Sequence, residues 1–201
     1  MVAEELQQLL LKISKFLDNY NVFVAILLEK YKTLLSIFDF QTQTMNYLIR
    51  KAVKSDMGQV LNLITELAIF EKEPNAVEIT EVNLVAKGFG ENPEFDCFVA
   101  ESDQKVIGIA LVYTRFSTWK GTVLHLEDLI VSESVRGHGI GSALLDQVVL
   151  HAANKGVKRV CWEVIDWNAP AIEFYERKGA NVMRDWNVVQ LDEQGIKNYI
   201  S

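Results

Sequence analysis

The sequence predicts an α+β fold with one parallel crossover, preceded by a helical extension. Three observations carry this. Apolar residues recur at helical spacing throughout residues 1–44, and the pattern changes to mixed helix and strand after Met45. From there the elements read β-α-α-β-β-β-α-β-α-β, which gives runs of neighbouring strands and a single helix-linked pair rather than a doubly wound sheet. The 201 residues are 49% hydrophobic and 23% charged, with 11 Gly and 3 Pro, enough to fill a core and too apolar for a disordered or collagen-like chain.

Taken in order, Leu6, Leu9, Leu10, Ile13, Phe16, Leu17 and Tyr20 share a helical stripe, and Tyr31, Leu34, Leu35 and Phe38 continue it after a denser stretch at 22–28. Without Gly or Pro, residues 1–44 predict one or two amphipathic helices, too apolar to stand alone in water. They call for the main domain, a partner or a second copy to cover them. Lys mixed with Glu and Asp makes a membrane-surface role the weaker reading. Gln41–Thr44 forms a polar connector, so the domains are 1–44, the extension, and 45–201. Residues 47–51 read as a first strand. Ser55 or Asp56 caps a helix bearing Met57, Val60, Leu61, Ile64, Leu67 and Ala68, which Pro74 stops. A second helix spans 80–87 and ends at Gly88. Strands follow at 95–101, 106–115 and 122–131, the first two joined by a turn at 102–105. Helix 142–154 closes at Gly156, strand 159–165 follows, helix 171–178 ends at Gly179, and 186–191 reads as a last strand.

A net charge of −7 leaves no basic stripe for a nucleic-acid footprint. Cys97 and Cys161 lie in apolar segments, and His125, His138 and His151 share no zinc-like spacing with them. Free thiols in a reducing compartment and no metal site are expected. The N-terminus lacks the positive region of a secretory signal, and the longest charge-free apolar stretch falls far short of the roughly 20 residues of a membrane span. A soluble, cytoplasmic protein is expected.

The most informative stretch is Arg136-Gly137-His138-Gly139-Ile140-Gly141-Ser142, between a strong strand and a strong helix. Alternating glycines let backbone N–H groups approach an anion at the helix N-terminus, and Arg136 adds positive charge. A phosphate or pyrophosphate is the predicted ligand. A P-loop is excluded because no Lys-Ser or Lys-Thr closes the stretch. A dinucleotide fingerprint fails because Ser142 stands where its third glycine belongs.

Arg136–Gly141 resembles the pyrophosphate-binding motif of the GNAT superfamily of acetyl-CoA-dependent N-acetyltransferases, with Gly139 and Gly141 in its glycine positions. Leu126-Glu127-Asp128, the stretch from Trp167-Asn168 to Phe174-Tyr175, Glu66–Glu71 and Gly88–Pro93 resemble its diamine (spermidine/spermine) N-acetyltransferase branch. The resemblance spans Met45 to the C-terminus and implies a GNAT fold, a mixed and mostly antiparallel sheet flanked by helices. It implies acetyl-CoA as co-substrate, held by Leu129, Ile130, Val131, Arg136, Gly137, His138, Gly139, Ile140, Gly141, Ser142, Asn168, Ala171 and Lys178. Tyr175 is implied as the acid that protonates the departing thiolate, and Glu127 as the residue that binds the amine and relays its proton. Phe70 and Glu71 are implied at the polyamine, and a homodimer is implied with its active site near the subunit boundary.

Structural readings stand beside these roles. Tyr175 also suits the polar-tipped apolar position of a short helix, and Glu71 an exposed helix end. Lys178 suits a C-terminal charge complementing its helix dipole. Trp119 and Trp162 are candidates for a cation wall or for ordinary packing. In a regular strand Glu127 and Asp128 face opposite sides, so one of them at most shares a given pocket. Glu163 and Ala169 depart from the diamine enzymes' pattern and bear on the acceptor. The predicted reaction is direct acetyl transfer to a primary amine of a polyamine-like or lysine-like molecule. The alternatives are a protein N-terminus, an amino acid or an antibiotic as acceptor, or an acetyl-CoA-binding interaction module without turnover.

Overall fold

The structure, a computed structural model, describes residues 45–201 and, before them, only Gln8, Leu9, Leu11, Lys12, Lys15, Tyr20 and Lys30, all helical. The chain divides into two compact units, Met1–Asn46 and Tyr47–Ser201. Apart from those seven positions, the helices predicted for 1–44 lie outside the described residues.

Five strands form one sheet in the order β1-β2-β3-β4-β5: β1 (Leu48–Lys51), β2 (Asp96–Ser102), β3 (Lys105–Ser117), β4 (Gly121–Val131) and β5 (Val160–Cys161). The first four pair antiparallel and β5 joins β4 in parallel. Helices α1 (Met57–Phe70), α2 (Glu81–Phe89), α3 (Ile140–Asn154), α4 (Ala169–Arg177) and α5 (Glu193–Ile200) complete the unit. α3 and the loops around it supply the parallel crossover from β4 to β5, so the predicted α+β class holds. On one face, Met57, Val60 and Leu63 of α1 and Leu84 of α2 pack against Cys97, Val99, Ile109 and Ile130. On the other, Leu144 of α3 reaches Gly108, where an added Cβ would stand 3.1 Å from its Cδ1.

Local chemistry explains the boundaries. Asp103 and Gln104, with φ of 48° and 63°, form the two-residue turn between β2 and β3, a conformation that matches strand twist. Asp56 does not cap α1 with its side chain. Its carboxylate, 5% exposed, instead accepts from Arg50 Nη1 at 2.7 Å and Nη2 at 2.9 Å and from the Val53 N–H at 2.7 Å. Arg50 also donates from Nε to Glu101 at 2.7 Å, which ties β1, β2 and the start of α1 together. The Arg50 hydrogen bond holds the Asp56 carboxyl below the usual range despite its burial. Asp56→Ala removes two charge-assisted hydrogen bonds from Arg50, leaving Glu101 as its carboxylate partner, and is expected to cost about 2 kcal/mol in a denaturant titration at pH 7. Because the folded pKa is depressed, the contribution is complete above the unfolded value of about 3.9 and fades as pH falls below it. A gap between parent and variant that is equally wide at pH 2 would contradict this origin.

Four predicted boundaries are corrected. α1 ends at Phe70, ahead of Pro74, in a Schellman motif. There Glu73 N–H donates to Ala68 O at 2.9 Å and Lys72 N–H to Ile69 O at 3.1 Å, with Lys72 left-handed at φ 69°. Gly88 does not end α2. It sits inside the helix because the Phe95 ring lies over it, where an added Cβ would come within 2.7 Å. The strand predicted at 159–165 is only Val160–Cys161, since β5 leaves β4 after that point. Residues 186–191 form no strand and are followed by α5, which the periodicity did not reveal. A strand needs a neighbour, and among the described residues none pairs with this segment.

Candidate active site

Register builds the site. β5 pairs with β4 through Leu124↔Val160 and His125↔Cys161, so among the described residues β4 from Leu126 onward has no partner on that edge. The gap between the diverging strands is bounded by Leu129, Ile130 and Val131 on β4 and leads to the loop before α3. A register shift in the β3–β4 ladder sets Leu126 opposite Val112 and Asp128 opposite Leu111, leaving Glu127 as the extra residue of a bulge.

The loop ends in two left-handed glycines, Gly137 at φ 85° and Gly139 at φ 79°. Gly139 is the N-cap of α3 and has no side chain to cap it, so the helix's first N–H groups lack the usual side-chain acceptor. An added Cβ would meet nothing at Gly137 and only the Tyr47 hydroxyl, at 3.8 Å, on Gly139. These glycines are therefore required by backbone conformation and by open space before the helix, not by packing. Val131 approaches Gly141, and Ser142 follows in the first turn. Arg136 donates from Nε to Val131 O at 3.0 Å and lays its guanidinium 5.3 Å over the Phe70 ring, while His138 stays exposed. Glu66 of α1 ties the loop down, accepting from Ser132 Oγ at 3.2 Å and Glu133 N–H at 2.8 Å. This geometry fits a pyrophosphate: open donors at a helix N-terminus whose dipole favours anions. Gly139→Val is expected to weaken coenzyme A binding at least about tenfold while straining the backbone by roughly 1–2 kcal/mol. Gly121→Ala, at another left-handed glycine (φ 78°) with nothing near it, is the control. Titration calorimetry should show binding weakened only in the first.

Phe70 and Glu71 finish α1, where the left-handed Lys72 turns the chain. The Phe70 ring lies 5.5 Å from Trp167, and Lys72 Nζ sits 4.5 Å over the Trp167 ring. A cation–π contact is thus made by Trp167, with the chain's own Lys72, and by neither Trp119 nor Trp162 among the described residues. Trp119 is exposed, and Trp162 packs on Tyr175 at 5.1 Å. Asn168 caps α4 by accepting from Ala171 N–H at 3.3 Å, and Lys178 at its end donates to Asp146 of α3 at 2.8 Å. Both residues hold α4 in place.

Tyr175, 8% exposed, lies between Trp162 and Phe174, the latter 5.2 Å away. Burial and then the charge of Glu71 push its phenol above the ordinary value. Burial also raises Glu71. Asp128 is the group that sequence reasoning passed over. Burial, Glu127 and Glu71 together push its carboxyl up to about 6. The opposite-face expectation for Glu127 and Asp128 belongs to a regular strand. With the bulge at Glu127, both acids and Glu71 share one electrostatic neighbourhood. Beside them His125, 4% exposed, stacks on Tyr113 at 4.9 Å. Its Nε2 lies 3.5 Å from Glu127 Oε2, and its Nδ1 lies 3.6 Å from Cys161 Sγ. Cys97 and Cys161 are free thiols. Among the described residues no three His, Cys, Asp or Glu gather as a metal site, and no helix is long and apolar enough to cross a membrane.

The sheet thus divides beside a glycine-capped helix, with a buried phenol and raised carboxyls nearby. Residues 44–180 match the acetyltransferase (GNAT) family, and the chain belongs to it. A bovine protein named thialysine N-epsilon-acetyltransferase is 37% identical over 161 residues, covering 75% of this chain and 95% of that protein. The human spermidine/spermine N(1)-acetyltransferase-like protein 1 is 35% identical over 147 residues, 70% of this chain and 21% of that protein. Among solved structures, an integron cassette protein from the mobile metagenome of V. cholerae superposes with a TM-score of 0.65 at 24% identity, over 78% of this chain and 98% of its own. That likeness concerns the fold. The chain is an acetyl-CoA-dependent N-acetyltransferase, as its relatives' names and its family agree.

Proposed function

We propose that the acceptor is a primary amine of a small polyamine-like or lysine-like molecule, acetylated by direct attack within a ternary complex. The observation that carries this is that Asp128 feels the charges of Glu127 and Glu71 while the buried Tyr175 phenol feels that of Glu71, so the acids and the phenol act on one another. Relatives named for thialysine and for spermidine/spermine support the same acceptor chemistry.

Bound acetyl-CoA supplies a thioester carbonyl and a thiolate leaving group. The chain supplies the remainder. An alkyl ammonium loses its proton at pH 7 at a cost of about 4.6 kcal/mol, so a base is needed. Exposed Glu127 binds the ammonium and relays its proton. Asp128, titrating at about 6, is the better-matched receiving base near neutral pH. Backbone N–H groups at Leu129–Val131 are assigned to the developing oxyanion. Tyr175 donates its proton to the departing sulfur. Phe70, Glu71 and Trp167 line the acceptor's entrance. Asn168, Ala171 and Lys178 act on acetyl-CoA through the placement of α4. The rate climbs with pH as base and amine lose protons, and falls only beyond the ordinary phenol range because burial and Glu71 raise the Tyr175 phenol. A flat profile from pH 6 to 10, with chemistry limiting, would contradict this assignment.

Coenzyme A release with spermidine, putrescine, lysine, thialysine and peptides separates the readings. Turnover on the small amines is expected. Turnover on peptides alone would move the acceptor to a protein, and tight acetyl-CoA binding without turnover would leave an interaction module. A homodimer belongs to the same proposal, supported by exposed Trp186, Val188, Val189 and Leu191 on a segment with no strand partner among the described residues. Sedimentation of the full chain is expected to give twice the 22.8 kDa mass.

A further inference from the structure

We infer that His125 is a positioning residue for Glu127, locked in one tautomer by Cys161. This rests on the proposed role of Glu127 as the group that binds the acceptor's ammonium.

His125 and Cys161 face each other as the last pair of the β4–β5 ladder, immediately before the strands part. His125 is buried, and its ring is fixed by Tyr113 at 4.9 Å, so its two nitrogens point in set directions. Nε2 addresses Glu127 Oε2 at 3.5 Å, and Nδ1 addresses Cys161 Sγ at 3.6 Å. A carboxylate can only accept, so a bond to Glu127 requires the proton on Nε2. Nδ1 is then a bare acceptor, and the Cys161 thiol is the donor that meets it. The same thiol has Leu124 O at 3.7 Å as its other acceptor. The thiol thus sets the tautomer, the tautomer aims an N–H at the carboxylate, and the carboxylate keeps a defined orientation. Glu127 needs this support because it is the bulged residue, outside the ladder that orders its neighbours, and its side chain is 53% exposed. The 3.5 Å separation is longer than a closed N–H···O bond. Such contacts in resting catalytic sites tighten once the substrate is engaged.

The test uses the full chain with spermidine and thialysine as acceptors and reads KM for the amine, kcat and KM for acetyl-CoA. His125→Phe keeps a ring against Tyr113 and removes both nitrogens. It is expected to raise the amine KM about tenfold, the weight of one hydrogen bond to a charged group, with acetyl-CoA KM unchanged. His125→Gln, which returns an N–H toward Glu127, is expected to recover most of that loss. A loss of packing alone would not be recovered this way. In a Glu127→Gln background His125→Phe is expected to add nothing. Cys161→Ala should raise the amine KM in the same sense, and Cys161→Ser should restore it, which keeps the question open to test even where His125→Phe fails to fold. An amine KM unmoved by His125→Phe, or by Cys161→Ala, while Glu127→Gln raises it, overturns this inference alone. An amine KM unmoved by Glu127→Gln overturns the role of Glu127 itself, and the positioning role with it.

Discussion

Tyr175→Phe is expected to lower kcat by about a hundredfold or more while leaving acetyl-CoA binding intact, the weight of a well-placed general acid. The expectation follows from where the phenol is held. Trp162 and Phe174 fix the ring at 5.1 and 5.2 Å, and a phenylalanine fills the same space with the same edge contacts. What the substitution removes is one ionisable hydroxyl. A thiolate leaving group is close in basicity to an ordinary phenolate, so a donor in this range transfers its proton without a large uphill step. The raised titration of Tyr175 ensures that the proton is present across the physiological range. Steady-state kinetics with the best amine, a melting curve and a coenzyme A titration on the same sample make the test complete. Full activity in a folded variant would reduce Tyr175 to a packing residue.

The second large effect concerns Asp128 and runs in opposite directions for stability and activity. Asp128→Asn is expected to stabilise the protein at pH 8 by roughly 2–3 kcal/mol and to slow acetyl transfer. The sign follows from the direction of the shift. A carboxyl titrating at about 6 in the folded chain and near 3.9 in the unfolded one is harder to ionise when folded. The native state is therefore penalised as pH rises from about 4 through 6, and the penalty is complete above that. Asparagine keeps the shape and carries no charge. The gain should appear in denaturant titrations at pH 8 and vanish at pH 4. An equal change at both values would place its origin outside ionisation. Retained activity at pH 8 would return the base role to Glu127 alone.

The parts of this site that depend on local pattern were legible in the sequence. Alternating glycines between a strand and a helix announce an anion-binding helix start, because only glycine adopts the left-handed turns at 137 and 139 cheaply. The crossover was legible because β4 and α3 each carry their own periodicity and a short apolar run follows them. What depended on register was hidden. Alternation assigns Glu127 and Asp128 to opposite faces, but it does not foresee the extra residue in β4 that takes Glu127 out of the ladder. The contact of His125 with Cys161 spans 36 positions and exists only because two short strands align. Gly88 read as a stop signal, although its absent side chain makes room for Phe95. Residues 186–191 carry strand-forming side chains, but pairing is decided by a neighbour that the sequence does not name.

The brevity of β5 has a bearing on how firmly the catalytic half is tethered. β5 joins the four-stranded meander through only two residue pairs, and α4 beyond it is held by an ion pair from Lys178 to Asp146 of α3 and by side-chain contacts such as Trp167 with Phe70 and Tyr175 with Trp162. The phenol thus rides on an element outside the sheet's long antiparallel ladders. Amides of α4 should exchange with deuterated solvent much faster than those of β2 and β3, through partial openings that spare the meander. A ligand lying between β4 and β5 would bridge the two parts and slow that exchange. Part of its intrinsic affinity would go into closing the unit, so the measured dissociation constant reports ordering as well as contact.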